Sequence, residues 1–157
     1  MRRRWCSERR PVLLLHADTF FDPQVIDALL KSDASGAIAV DECFKVRVDD
    51  RPIAYGKGGR LAGIEVGNAR RADTVGEVMG VNVWFPSFME RFFYFMDFFF
   101  RKEGPNHTWE TALTRMILAN EGEMAYTLCG QFAWMNINRE EDYRLAESLV
   151  YPKIYRM

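Results

Sequence analysis

At 157 residues, 48% of them hydrophobic and 27% charged, the chain has the size and balance of one folded domain with its own core, not of a disordered or fibrous protein. A formal net charge of −1 gives it no global attraction to nucleic acid or to anionic membranes. Three widely spaced cysteines, Cys6, Cys43 and Cys129, make neither a disulfide framework nor a metal-ligand spacing, and so imply a reducing, cytoplasmic setting.

Residues 1–10 read as a basic leader, with Arg2, Arg3, Arg4, Arg9 and Arg10 on a solvated turn or helix face. Ser7, Glu8 and Arg9 interrupt any signal-peptide core, and no nucleic-acid motif accompanies the arginines. The domain proper is taken as residues 11–157. It opens on Val12-Leu13-Leu14-Leu15-His16-Ala17-Asp18, an apolar run that predicts a buried strand with Asp18 at its carboxyl end. Open α/β sheets bind ligands at that end, and a carboxylate there suits a divalent cation held against phosphate oxygens. His16, two positions earlier, reads first as a core or rim histidine.

Asp22 and Pro23 predict the N-cap and first position of a helix reaching about Lys31, with Val25, Ile26, Leu29 and Leu30 on its apolar face. Ala37 to Val40 predicts a second buried strand ending on Asp41. Phe44 to Val48, a turn at Asp49-Asp50 and a short strand near Ile53-Tyr55 predict a hairpin. Gly56 to Asp73, carrying Lys57, Arg60, Arg70 and Arg71, predicts a long basic loop with a short strand at Leu61 to Val66.

Val78 to Trp84 predicts a further strand, and Ser87 opens a helix with Phe88, Phe92, Phe95 and Phe99 on one face. Phe93, Tyr94, Phe98 and Phe100 make it apolar nearly all round, as expected of a deeply buried helix or of one that also covers another chain. Glu90, Arg91 and Asp97, and a length short of the roughly 20 residues needed, exclude a membrane span. Thr108 predicts the cap of a helix to about Asn120. Met124 to Leu128 and Gln131 to Ile137 predict a closing pair of strands, and Asn138 the cap of a last helix with Glu141 at the capping-box position. Together these elements predict one α/β domain with a mixed sheet.

Three blocks in this order carry a resemblance: Leu13 to Leu30, Val75-Gly76-Glu77-Val78-Met79-Gly80, and Trp134-Met135-Asn136-Ile137-Asn138-Arg139-Glu140-Glu141-Asp142. From Pro11 to about Ile154 the chain resembles the MobA-like, GT-A-type nucleotidyltransferases, above all the phosphocholine and phosphonate cytidylyltransferases. The resemblance implies a Rossmann-like fold and Mg²⁺-dependent transfer of a nucleoside monophosphate from CTP or another NTP to a phosphocholine-, phosphonate- or sugar-phosphate-like acceptor, releasing pyrophosphate. It places Mg²⁺ on Asp18, with Asn136 or Asn138 where the family carries a second carboxylate; an asparagine offers an oxygen but no charge. It sets Lys57 toward the acceptor phosphate and Glu77 toward the acceptor. Trp84, Trp109 and Trp134 are candidates for an aromatic wall, with Glu110 as its acidic neighbour.

The family's opening strand and Gly-rich phosphate loop have no counterpart in this sequence, which therefore resembles an N-terminally truncated member. An open sheet edge and uncovered apolar faces are expected from that, and with them self-association or a complementing chain. Two other readings keep the fold: a non-catalytic remnant or interaction subunit, and a GT-A glycosyltransferase, whose Asp-x-Asp pair His16-Ala17-Asp18 does not supply.

Overall fold

The computed structural model describes residues 10–43, 51–67 and 71–155. Its main sheet has six strands in the order β1 (Val12–Leu15), β6 (Thr74–Trp84), β3 (Gly36–Asp41), β7 (Ala125–Leu128), β5 (Arg60–Val66) and β4 (Pro52–Lys57). The β3–β7 pair is parallel and the other pairs are antiparallel, so the sheet is mixed. β4 also pairs with the first half of β6, which curls that side of the sheet back on itself. Helices lie on both faces. α2 (Pro86–Glu103) and α3 (Trp109–Leu118) pack on one core with Ile38, Val40, Ile64 and Trp84; α1 (Gln24–Leu30) packs on the other with Ala37, Ala39, Val81 and Val83.

β6 is the longest strand, and it is bent. Register slips between the Ile38–Asn82 and Val40–Val78 pairs, and Gly80 sits at φ +76° inside that bulge. Beyond the bend Val81 to Trp84 pair with β1; before it Thr74 to Glu77 pair with β4. Only glycine takes this φ without strain, and a Cβ at residue 80 would lie 2.7 Å from the His16 ring.

Several sequence expectations need correction. β1 is not a buried strand: it is an edge strand with one covered face, and Leu13 and Leu15 are 43% and 44% exposed. The glycines after Tyr55 do not form a long loop. Gly58 and Gly59, both at positive φ, make a tight turn joining β4 to β5, the conformation that hairpins favour. Residues 44–48, expected to form the first arm of a hairpin, lie outside the described residues.

The last two strands do not pair with each other. β7 enters the main sheet beside β3, whereas β8 (Trp134–Asn136) pairs with β2 (Thr19–Phe21) in a separate ribbon. The last helix is capped at Arg139, not Asn138, and Asp142 takes the capping-box role assigned to Glu141: its Oδ2 accepts the Asn138 and Arg139 backbone N–H groups at 3.0 and 2.9 Å. That helix runs as α4 (Glu140–Leu145), a π-helical turn at Ala146–Val150 and α5 (Tyr151–Ile154).

At α1 the sequence reading is off by one residue. The helix starts at Gln24, and buried Asp22 accepts the Gln24 backbone N–H on Oδ1 at 2.9 Å. Thr108 caps α3 as expected. On α2 the buried stripe is Phe88, Met89, Phe92 and Phe99, while Tyr94 is 80% and Phe98 60% exposed. Among the described residues no helix is long and apolar enough to cross a membrane.

The two sides of α2 differ in what they hold. Phe92 stacks against Phe88 and meets the Trp84 edge, so Phe92→Ala should cost about 3–5 kcal/mol, while Phe98→Ala should stay within about 0.5 kcal/mol. Urea denaturation of the two variants reads the difference directly.

Candidate active site

The end of β1 brings two groups of side chains together. His16 donates its backbone N–H to the Gly80 carbonyl at 2.8 Å, which carries the β1–β6 pairing one step past the strand. Its ring meets Trp109 edge-on at 5.9 Å, and its Nε2 lies 3.9 Å from Glu110 Oε1. Trp109 in turn lies 5.8 Å from Trp84. Trp109 and Glu110 reach this place because Thr108 starts α3 there, and α3 is clamped to β5 by Thr114, whose hydroxyl accepts from Ile64 N–H and donates to Ile64 C=O. Deeper on the same side of β6, Asn82 Oδ1 and Trp84 Nε1 are buried and have no hydrogen-bond partner among the described residues.

Two residues on from His16, the chain turns at Asp18 into the β2–β8 ribbon. Ile137 N–H donates to the Asp18 carbonyl at 2.7 Å, Thr19 stands opposite Asn136, and the Thr19 hydroxyl donates to Asn136 Oδ1 at 2.8 Å. Asp18 is exposed and Asn136 half-buried. The asparagine that the fold sets beside the end of β1 is therefore Asn136. Asn138 lies beyond the ribbon, exposed, with its N–H on Asp142. Among the described residues no three His, Cys, Asp or Glu side chains converge as metal ligands.

The remaining candidates sit apart from these two groups. Glu77 is 2% exposed and paired with Arg51, a partner on which the sequence carries no distinctive signal. Burial pushes the Glu77 carboxyl up from its ordinary 4.5, and Arg51 opposes the shift. Trp134 packs in the α1 layer, across the sheet from Trp109, and spends its indole N–H on Asp41 Oδ2 at 3.0 Å. Lys57 is exposed at the hairpin tip, four residues along β4 from the Ile53–Glu77 pair.

No protein-family model matches the sequence, and no curated protein matches it either. Solved structures do. The inositol-1-phosphate CTP transferase of T. maritima superposes with a TM-score of 0.66 at 12% identity, over 94% of this chain and 57% of that one. A Bacillus anthracis protein described as a glucose-1-phosphate thymidylyltransferase gives 0.64 at 10% identity, over 90% and 55%. The nucleoside-diphosphate-sugar pyrophosphorylase of Vibrio cholerae RC9 gives 0.55 at 11%, over 85% and 54%. The chain has the nucleotidyltransferase fold. It spans little more than half the length of each of these structures.

Glu77 gives a test of the electrostatics. A carboxyl whose folded pKa is raised binds protons more tightly in the folded state, so its stabilisation is full below the unfolded pKa and is lost as pH rises through the folded one. Wild-type stability relative to Glu77→Gln should therefore fall as pH rises from 4.5 through the elevated value, as urea unfolding across that range would show.

Proposed function

We propose that this chain is the acceptor-binding and metal-holding part of a nucleotidyltransferase that joins a nucleoside monophosphate, from CTP or another NTP, to a small phosphorylated acceptor. The carrying observation is that the end of β1 sets the His16–Trp109–Glu110 group and the Asp18–Asn136 ribbon two residues apart. In the reaction an acceptor phosphate oxygen attacks the α-phosphorus. The new P–O bond forms as the bond to the β-phosphate breaks, and its electron pair leaves with pyrophosphate. Such a displacement needs positioning and charge neutralisation more than covalent help.

The donor set fits Mg²⁺ of the kind that keeps most of its shell on phosphate and water: one exposed carboxylate, Asp18, and one amide oxygen, that of Asn136. When bound there, the ion would offset negative charge on the phosphates. His16, Glu110 and Trp109 would orient the acceptor. Lys57, at the hairpin tip apart from this group, takes no part in this arrangement, and Glu77, through its Arg51 pair, would hold β4 against β6.

A second reading, a non-catalytic interaction subunit of the same fold, is favoured by one observation. The described residues bring no three metal-binding side chains together and contain no glycine-rich strand-to-helix loop, since Gly58 and Gly59 make a hairpin turn. On this reading, a complementing chain or a second copy supplies the nucleotide grip.

Calorimetric titration of the chain with CTP, with and without Mg²⁺, separates the two. The enzyme reading expects Mg²⁺-dependent binding that Asp18→Ala weakens by about tenfold or more, with pyrophosphate released when a phosphorylated acceptor is added. Binding indifferent to Mg²⁺ and to Asp18→Ala would sink the metal assignment, and no binding would favour the interaction subunit.

A further inference from the structure

A cavity of about 380 Å³ lies between the β2–β8 ribbon and the last helix, lined by Phe20, Ile137, Tyr143, Ala146, Glu147 and Tyr151. It is separate from the site described above. In the ribbon Thr19 pairs with Asn136 and Phe20 with Met135, so alternation turns Phe20 to the face opposite Thr19 and Asn136. We propose that this cavity binds an organic cation of the ammonium class, independently of the nucleotidyl-transfer reading.

The lining carries the argument. Three of the six residues are aromatic, and the one ionisable group of fixed charge among them is a carboxylate, Glu147. Glu147 forms no ion pair or side-chain hydrogen bond among the described residues; its neighbour Arg144 is taken by Glu140. Aromatic faces beside a carboxylate with no cationic partner among the described residues attract a cation with a greasy shell, and repel an anion. The volume lies within the range of small-molecule sites.

The helix is also shaped for it. Tyr143, Glu147 and Tyr151 are spaced by four, a spacing that drifts round an unbroken α-helix. The π-turn at Ala146–Val150 takes up an extra residue in that turn, and all three side chains reach the one cavity. Tyr151, one turn of helix beyond Glu147, lies nearly parallel to Phe20, 11° between planes and 6.5 Å between centroids, and packs against Tyr155 at 4.7 Å. π-turns of this kind concentrate at functional sites.

Amide NMR of the labelled full chain, titrated with choline, with tetramethylammonium and with choline's uncharged carbon isostere, tests the proposal. Saturable shifts confined to residues of the ribbon and 143–151 are expected for both cations, with the isostere weaker by roughly tenfold. Glu147→Gln, at an exposed position that leaves the fold intact, should weaken the cations about threefold to tenfold and leave the isostere unchanged. Equal response to cation and isostere, absence of saturable shifts, or concentration-dependent broadening of the same residues from a second copy seated there would each overturn it. A failure of CTP binding would leave these results untouched, so the two readings fall or stand separately.

Discussion

The bend of β6 at Gly80 is the constraint on which the rest of the arrangement depends. One strand pairs with β3 along its length, with β4 before the bend and with β1 after it, so the bend sets the angle between β4 and β1 on the shared edge. The bulge turns the strand, and glycine is required twice over: for the positive φ and because the His16 ring occupies the space of a Cβ. With His16 packed there, β1 has to end, and the chain leaves the main sheet at Asp18. The site is thus a by-product of how β6 is bent.

The ribbon is the second element of the arrangement. β2 and β8 come from positions more than a hundred residues apart, and their pairing is extended at both ends by backbone bonds, Asp22 N–H to Ala133 and Ile137 N–H to Asp18. It fixes Asn136 beside Thr19, and its two faces do different things. One packs Phe21 and Trp134 into the α1 layer, with the Trp134 indole anchored on Asp41; the other supports the last helix through Phe20. On that helix Ala146 and Val150 are buried, while Leu145, Leu149 and Tyr155 are about half exposed, as are Leu13 and Leu15 on the open face of β1.

Local signals carried much of this. Ala37 to Val40 reads as a buried strand because small and β-branched residues run without polar interruption, and it is one; Thr108 reads as a cap and is one. The misreadings share a cause. The β1 run looks buried on both faces, but whether Leu13 and Leu15 are covered depends on neighbours that its own composition does not encode. Gly58-Gly59 is a hairpin signal only once Lys57 and Arg60 are seen as strand ends rather than as loop charges. β7 and β8 are adjacent in sequence, so local reasoning pairs them, whereas their partners, β3 and β2, are settled by tertiary packing. Within the site, Trp109 and Glu110 share a helix turn and meet His16, but no periodicity could say that Trp134 belongs to the other layer or that Glu77 has Arg51 as its partner.

The chemistry at the ribbon turns on one substitution of charge. Were residue 136 a carboxylate, the ribbon would hold two negative charges close together, a set that attracts a hard cation by itself but is strained when the cation is absent. With asparagine there, the Thr19 hydroxyl satisfies the amide oxygen, and the ribbon is stable with Asp18 as the lone exposed charge. On the reading proposed above, affinity for a divalent ion then has to come largely from the phosphates that accompany it, which already carry several negative charges. Metal and nucleotide binding would become one event rather than two, and Asp18 would act less as an anchor for the ion than as the point that fixes where the metal–nucleotide pair stops relative to His16 and Glu110. On that reading the geometry of the site would be set by backbone pairing at Asp18 and Gly80, not by the ligand it would hold.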